Sequence, residues 1–290
     1  MDVYITPRIK QLIDMAIDED EIGFDVTSQA FFASEFGEAE FVAKQDFVVA
    51  GVAVVEEVFA RVDPLVEVEF LRHDGACAKK GEVVARLKGP TVSLLRGERI
   101  ALNFLQRMCG VATLTASFVE ALVPSRTRVV DTRKTLPGWR SLDKYSVLCG
   151  GGANHRYNLA GGVMIKDNHI AAAGSVAEAV SRVRAVAPHS VRVEVEVDAL
   201  EQVSEALEAG AEIIMLDNMN REQMIEAVGI IRNHPRGEYV VIEGSGNMTR
   251  ERLKDLGDIG LDIISVGALT HSATAVDISM KMRRSSGSKG

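Results

Sequence analysis

The chain has 290 residues, 47% of them hydrophobic, and a formal net charge of −8. At roughly 150 residues per domain this length predicts about two domains with ordinary cores. The acidic balance argues against nucleic-acid and membrane surfaces, and no apolar run approaches the roughly 20 residues that span a bilayer. The N-terminus lacks the pattern of a signal peptide. Three cysteines without a CxxC spacing favour reduced thiols in the cytoplasm and no zinc site.

The first part of the chain predicts a segregated α+β unit. Apolar spacing and turn residues predict a helix at 9–17, a turn or cap at 25–28, strands at 38–44 and 46–49, a helix at 52–62, and strands at 66–71 and 82–87. We find no catalytic motif in this part of the sequence.

Two helices are predicted next, at 91–107 and 113–122, with a break or bend at Gly110. We therefore place the linker near Gly110, between an N-terminal α+β domain (1–112) and a second domain (113–290). The C-terminal segment 281–290 is typical of a helix end followed by a flexible polar tail. We expect that C-terminal helix to pack back on the first domain.

After residue 128, short β-branched runs alternate with helical stretches. The predicted strands are 128–130, 162–165, 191–197, 212–216, 239–242 and 262–266, and the later helices are 176–186, 200–209, 221–231 and 250–256. Ser175, Asp198 and Asn220 have capping-box spacing. This alternation predicts a parallel sheet, most simply a (β/α) barrel, and six strands make it an open, incomplete one.

The segment 131–170 concentrates basic residues within an acidic chain, and glycines interrupt it. Its cations are Arg133, Lys134, Arg140, Lys144, His155, Arg156, Lys166 and His169. Arginine forks and lysine charges bind carboxylate and phosphate oxygens, and glycine allows close backbone approach. The segment therefore predicts a pocket for a small polyanion, although a solvated basic loop is the alternative. Cys149 is better explained as a buried small hydrophobe than as a reactive thiol.

Polar or glycine residues follow every predicted strand of the second half. In α/β barrels the active site lies at the carboxyl ends of the strands, so these residues should converge in one mouth. Polar residues that only mark where strands leave the core are the alternative. The residues are Asp131, Arg133 and Lys134; Lys166; Glu196; Asp217; Glu243, Ser245 and Gly246; Ser265 and Gly267.

The last two strand ends predict a phosphate site, because 243–247 and 266–268 are glycine turns that precede helices. Glu196 and Asp217 are opposite in charge to the basic residues. Two carboxylates in a phosphate-rich mouth suit Mg²⁺ held through phosphate oxygens and water. Pairing of these carboxylates with the neighbouring arginines and lysines is an equally good explanation.

Several motifs, in order from about Leu94 to Ser272, resemble the quinolinate phosphoribosyltransferase family, whose members are also called nicotinate-nucleotide pyrophosphorylase (carboxylating). They are GERIALNFLQRMCGVATLT (97–115), DTRKTLPGWRSLDKYSVLCGGGANHRYNL (131–159), IKDNHI (165–170), VEVEVD (193–198), IMLDNM (214–219), EGSGN (243–247) and ISVGALTHS (264–272).

The resemblance implies an N-terminal α/β domain, an open α/β barrel and a cytoplasmic homodimer or higher oligomer, in which the first domain of one subunit covers the barrel mouth of the other. It implies that quinolinate and phosphoribosyl pyrophosphate react, with Mg²⁺, to give nicotinate mononucleotide, pyrophosphate and CO₂ in de novo NAD biosynthesis. No nucleic acid or membrane partner is expected.

The resemblance also implies roles for individual residues. Quinolinate would be held by Arg133, His155, Arg156 and Lys166, with Thr132 in the substrate site and Arg99 from the partner subunit. Lys134 would lie near pyrophosphate or substrate, and Glu196 and Asp217 would serve the ribose and the metal. Lys134, Lys166, Glu196 and Asp217 form the expected catalytic set. Ser245, Gly246, Asn247 and Gly267 would take the 5′-phosphate, and His271 would line the site.

The phosphate loop departs from the family's usual Glu-(Ala/Ser)-Ser-Gly-Gly, since here it ends in Asn247 and has Gly244 in second position. Asparagine tolerates left-handed backbone, so we expect Asn247 to fit. Three other functions stay open: a molybdenum-transport-associated homologue, a nicotinate phosphoribosyltransferase that does not decarboxylate, and a non-catalytic phosphate-ligand sensor. The intact segment Lys166–His169 opposes the first, the many cations the second, and the Glu196/Asp217 pair the third.

Overall fold

A computed structural model of the chain describes residues 3–31 and 35–283. The chain divides into two compact units. Among the described residues, the first unit comprises residues 3–31, 35–116, 136–151 and 272–283, and the second comprises residues 117–135 and 152–271. The domain boundary after residue 112 stays a prediction.

The described residues form eleven α-helices and twelve strands. The helices are α1 Pro7–Glu19, α2 Val26–Phe31, α3 Val52–Val62, α4 Thr91–Ala121, α5 Arg140–Cys149, α6 Asp167–Ala173, α7 Val176–Arg184, α8 Leu200–Glu208, α9 Arg221–Asn233, α10 Arg250–Leu256 and α11 Ala268–His271. The strands are β1 Phe36–Ala43, β2 Phe47–Val48, β3 Glu67–Phe70, β4 Cys77–Ala78, β5 Val83–Pro90, β6 Arg128–Val130, β7 Val163–Ile165, β8 Val193–Val197, β9 Ile213–Asp217, β10 Val241–Ser245, β11 Ile263–Ser265 and β12 Ile278–Arg283.

The first unit is built on a four-stranded antiparallel sheet in the order β12-β1-β5-β3, with a small β2-β4 pair beside it. Its core includes Phe41 of β1, Phe59 of α3 and Leu87 of β5, all fully buried. Burial alternates along much of β5, which corresponds to the strand predicted at 82–87. The predicted α+β character is confirmed.

The predicted helix break at Gly110 is wrong, because α4 runs without interruption from Thr91 to Ala121. Gly110 instead allows close packing of another segment against the helix. A β-carbon built on Gly110 would lie 2.2 Å from the carbonyl oxygen of Thr274, so only glycine lets that backbone approach the helix.

The expectation of a C-terminal helix is also wrong for the residues that the structure describes. Residues 278–283 form β12, which pairs antiparallel with β1 from Ala43↔Ile278 to Glu38↔Arg283. A helix cannot supply this ladder of hydrogen bonds to a sheet edge. The predicted tail, residues 284–290, lies outside the described residues.

The second unit is a six-stranded sheet in the order β6-β11-β10-β9-β8-β7, in which every pairing is parallel. Strands β6 and β7 form its two edges. The predicted open, incomplete barrel is therefore confirmed. Within the described residues, no helix is both long enough and apolar enough to cross a bilayer.

The predicted helix caps are partly correct. Ser175 accepts a hydrogen bond from the Glu178 N–H, and Asn220 forms a reciprocal capping box with Gln223. Asp198 is not a cap, because α8 begins one residue later, after Ala199.

Candidate active site

A cavity of about 390 Å³ lies at the carboxyl ends of the second unit's strands. Each of the strands β6 to β11 ends near it, so residues scattered over the sequence line one space. A larger cleft of about 600 Å³ opens at the opposite, amino ends of β10 and β11, where barrel active sites are not built. The lining of the smaller cavity is Thr132, Arg133, Lys134, His155, Arg156, Met164, Lys166, Glu196, Met215, Asp217, Glu243, Ser245 and Ser265.

Cationic side chains that follow the two edge strands, β6 and β7, line this cavity. The Arg156 guanidinium donates to the Gly162 carbonyl oxygen at 2.9 Å, which fixes its direction. The Lys166 ammonium forms an ion pair with Glu196. The Lys134 N–H donates to the Thr132 hydroxyl at 3.0 Å, which shapes the turn after β6. This arrangement supplies the positive charge that a small polyanion needs.

Asp131 holds one loop of the cavity in place through hydrogen bonds. It is fully buried, and its two oxygens accept hydrogen bonds from the His155 N–H at 2.9 Å and the Asn154 amide at 2.6 Å. A bridge between Val130 and Ala153 joins the same two segments. Asp131 therefore positions the loop that carries His155 and Arg156, although its place after a strand had suggested that it faces the mouth.

Two buried glutamates hold the His155 ring. His155 Nε2 lies 3.3 Å from Glu194 Oε2 and 3.4 Å from Glu243 Oε2, and both carboxylates are almost fully buried. Burial opposes protonation of His155, but hydrogen bonds and charges from both glutamates outweigh it and raise its pKa to about 10. Burial raises the pKa of Glu194, and His155 opposes that rise.

The backbone N–H of Arg156, in contrast, requires that one nitrogen of the His155 ring carry no proton. It donates to His155 Nδ1 at 2.7 Å, which is possible only while Nδ1 carries no proton. A neutral ring therefore has its proton on Nε2, facing the glutamates, and the doubly protonated ring must release Arg156 N–H. The ligand atoms of His155, Glu194 and Glu243 also lie within 4.8 Å of one another, so a cation there would compete with this proton.

Replacing Glu243 with glutamine is expected to lower the pKa of His155 from about 10 toward its ordinary 6.5. Because the pKa of His155 is raised in the folded state, its protonation stabilises the folded protein. This contribution to the free energy of unfolding is complete below about pH 6.5 and is lost as the pH rises through about 10. NMR titration of the ring in wild type and in Glu243→Gln measures the shift directly. Glu194→Gln should act in the same direction, and an unchanged titration in both variants would contradict the proposed contacts.

Glu196 and Asp217 end the neighbouring strands β8 and β9, and both are half-buried at the cavity. Glu196 pairs with Lys166, so the alternative of pairing within the cluster applies to it. Asp217 accepts a hydrogen bond from the Asn218 side-chain amide at 2.7 Å. Carboxylate oxygens on adjacent strands are donors of the type that Mg²⁺ takes, directly or through water.

The predicted phosphate loop follows β10. Gly246 has φ +94° and Asn247 has φ +45°, so the expectation that Asn247 tolerates left-handed backbone is confirmed. Gly244 is buried, and a β-carbon on it would lie 2.9 Å from Leu261 Cδ1. Its presence is therefore explained by packing. Ser245, which precedes Gly246 and Asn247, lines the cavity.

Gly267 leaves room for two neighbouring side chains. A β-carbon at this position would lie 2.9 Å from Lys134 Cδ and 3.3 Å from the His271 ring. The Thr270 hydroxyl donates to the Lys134 carbonyl oxygen at 2.8 Å and ties the same turn to the end of β6. The structure thus brings Lys134, Gly267 and His271 together.

Three basic residues of the 131–170 cluster, and Arg99 outside it, are not part of this cavity's lining. Arg99 is exposed on α4, while Arg140 and the buried Lys144 belong to α5, all in the first unit. His169 Nδ1 accepts the Lys166 N–H at 2.9 Å as part of a helix cap. Burial, with the nearby Asp74 charge, raises the pKa of Cys149 to about 12 and leaves a poorly reactive thiol.

Sequence reasoning missed Glu194, although a signal for it was present. In Val193-Glu194-Val195-Glu196-Val197 the two glutamates are two positions apart, so they point to the same face of β8. Glu196 had been selected from the strand end and from the family resemblance. The alternation would have added Glu194 to the cavity side of the strand.

Models of the quinolinate phosphoribosyl transferase family match most of the chain. The N-terminal domain model matches residues 25–109, and the C-terminal domain model matches residues 111–281. A probable nicotinate-nucleotide pyrophosphorylase (carboxylating) from Bacillus subtilis is 42% identical over 94% of this chain and 93% of its own. A quinolinate phosphoribosyltransferase (decarboxylating) from Nicotiana tabacum is 41% identical over 96% of this chain and 83% of its own.

Solved structures agree with these relatives. NadC from Streptococcus pyogenes has a TM-score of 0.91 and 41% identity, and covers 96% of this chain and 97% of its own. The nicotinate-nucleotide pyrophosphorylase from Francisella tularensis has a TM-score of 0.90 and 34% identity, and covers 98% of this chain and 99% of its own. Human nicotinic acid phosphoribosyltransferase, at 15% identity and a TM-score of 0.60, shares the fold alone, over 96% of this chain and 74% of its own.

Proposed function

Because the chain belongs to the quinolinate phosphoribosyltransferase family, we propose that it transfers phosphoribosyl from phosphoribosyl pyrophosphate to quinolinate with loss of CO₂. The products are nicotinate mononucleotide and pyrophosphate, and the reaction serves de novo NAD biosynthesis. The observation that carries the proposal is one cavity in which Arg133, Arg156 and Lys166 face Glu196 and Asp217.

The cations account for binding of the first substrate. Quinolinate is a dianion, and its two adjacent carboxylates need several positive groups in a fixed arrangement. Arg133, Arg156 and Lys166 supply them, and Arg156 is already oriented by its bond to the Gly162 carbonyl. In this proposal His155 lines the quinolinate site together with these cations, and Lys134 faces the phosphates of the donor.

The carboxylates account for the bond that breaks. Departure of pyrophosphate leaves an oxocarbenium-like ribose, and Glu196 and Asp217 place negative charge beside it. Their oxygens also fit Mg²⁺, which when bound would neutralise part of the donor's phosphate charge. Ser245, Gly246 and Asn247 would take the 5′-phosphate through their backbone N–H groups, with Gly267 and His271 beside Lys134.

The last step needs no covalent nucleophile from the protein. Attack of the ring nitrogen on the ribose carbon gives a pyridinium, and the C–C bond to the adjacent carboxylate then breaks to release CO₂. The electron pair stays on the ring carbon beside the positive nitrogen until a proton replaces the lost group. Positioning of the two substrates therefore supplies most of the rate enhancement.

The partner-dependent part of the proposal concerns Arg99. We propose a homodimer in which Arg99 of one protomer completes the quinolinate site of the other, in the cytoplasm. The exposed position of Arg99 on α4 is compatible with this role. Arg99→Ala mixed with an inactive Lys166→Ala variant tests it, because hybrid dimers would regain one intact site.

A steady-state assay tests the proposed activity. The protein is supplied with phosphoribosyl pyrophosphate, Mg²⁺ and either quinolinate or nicotinate, and nicotinate mononucleotide is measured. We expect product with quinolinate and none with nicotinate, because only quinolinate has a second carboxylate for the several cations of the cavity to bind. Turnover of nicotinate would identify a non-decarboxylating enzyme, and turnover of neither would favour a phosphate-ligand sensor.

A further inference from the structure

The side chain of Arg252 and the backbone N–H of Asn218 join the segment after β9 to the end of β10 and the loop that follows it. The Arg252 guanidinium donates to the Gly246 carbonyl oxygen at 2.9 Å and to the Met219 carbonyl oxygen at 2.7 Å. The Asn218 N–H donates to the Ser245 carbonyl oxygen at 3.1 Å. Arg252 comes from α10, so one side chain fixes two loops that are separate in sequence.

Asn218 connects the same two loops from the other side. Its side-chain amide donates to Asp217 Oδ2 at 2.7 Å, and its backbone lies in the left-handed region with φ +55°. A β-carbon on Gly246 would lie 2.3 Å from Asn218 Oδ1 and 2.7 Å from its N atom. The loops therefore touch at this point, and the glycine makes that contact possible.

We propose that Asn218 and Arg252 are positioning residues that hold the Ser245–Asn247 phosphate loop at a fixed separation from the Asp217 carboxylate. This inference rests on the proposed function, in which the loop takes the 5′-phosphate and Asp217 serves the ribose. Neither positioning residue needs to touch a substrate.

The chemical reason is that one donor molecule spans both subsites. Its 5′-phosphate and its reacting ribose carbon are a fixed distance apart, so a change in loop separation prevents both from being bound well at once. The planar arginine fork reaches two carbonyl oxygens together, whereas a lysine ammonium with the same charge lacks that geometry.

Arg252→Lys separates this role from a general effect on the fold. We expect KM for phosphoribosyl pyrophosphate to rise about tenfold while KM for quinolinate changes by less than about twofold, because a small misplacement at one subsite costs binding there. Arg232→Lys is the matched control. Arg232 also bonds two carbonyl oxygens, those of Gly237 and Val240 at 2.8 Å, and pairs with Asp262 at 2.7 Å, but at the opposite end of β10. It should leave both KM values within about twofold.

Asn218→Gly supplies a second, independent variant. Glycine keeps the positive φ and the N–H that bonds Ser245, and removes the side chain that bonds Asp217 and lies against Gly246. Here too we expect the effect on the donor to exceed that on quinolinate. Binding of ribose 5-phosphate, measured by calorimetry on each folded variant, should weaken in Arg252→Lys and stay unchanged in Arg232→Lys.

Equal increases in both KM values, or the same loss in Arg232→Lys, would overturn the inference. So would wild-type kinetics and unchanged ribose 5-phosphate binding in Arg252→Lys. These results differ from failure of the proposed function itself, which would appear as absence of quinolinate turnover in the wild type. The ribose 5-phosphate measurement still reports on the loop in that case, because it requires no turnover.

Discussion

Lys166→Ala is expected to lower kcat/KM for quinolinate by about 100- to 1000-fold, the range seen when one charge-stabilising group is removed from a preorganised site. Lys166 ends β7 at the cavity and forms an ion pair with Glu196, so the substitution removes a cation for quinolinate and leaves a carboxylate without its partner. Both consequences act at the reacting groups. Steady-state kinetics with each substrate varied in turn measure the loss.

Two further variants make this result interpretable. Cys149→Ala changes a half-buried thiol of the first unit and should leave kcat/KM within about twofold, because no nucleophile is required. Glu196→Gln removes the charge of the ion pair from the other side and keeps the size of the side chain. If Lys166→Ala and Cys149→Ala lost similar activity, the site would be misplaced.

Gly110→Ala is expected to lower the free energy of unfolding by about 3 kcal/mol, at the upper end of the cost of overpacking. The added methyl group would lie 2.2 Å from the Thr274 carbonyl oxygen and 3.2 Å from Ala275 Cα. Both neighbours are backbone, so neither can rotate away. Urea denaturation of wild type and variant under one condition gives the difference.

Gly229→Ala is the matched control for that substitution. Gly229 also lies inside a helix, α9, but a β-carbon there meets nothing within 4 Å. Alanine should stabilise the protein by about 0.5–1 kcal/mol, because glycine loses more conformational freedom on folding. Equal effects of the two substitutions would show that the close approach of Thr274 carries no energetic weight.

Features fixed by local patterns were predicted well from the sequence. The strand ends around the cavity could be read because apolar runs stop where parallel strands leave the core, and the residues that follow share one edge of the sheet. Asn247 was expected to take left-handed backbone, since few residues other than glycine tolerate it, and its φ is +45°. In both cases the signal lies within a few residues.

Features set by distant contacts were missed. Gly110 suggested a helix break because a glycine in a helical pattern marks a bend, a cap or a close approach, and only the structure reveals Thr274 beside it. Strand β12 was wrongly predicted as a helix end. Its partner β1 lies near the other end of the chain, so no local pattern reveals the pairing. Helix α5 was not predicted, because buried charged residues interrupt its apolar pattern. One of them is Asp143, which pairs with Arg107 at 3.3 Å.

The most direct test of the proposed reaction follows the carboxylate that is lost. Quinolinate labelled with ¹⁴C in the carboxylate next to the ring nitrogen is incubated with the protein and Mg²⁺, with and without phosphoribosyl pyrophosphate. We predict one labelled CO₂ for each nicotinate mononucleotide formed, and no release without the donor, because the pyridinium must form first. Release of CO₂ without the donor, or nucleotide that retains the label, would contradict the account.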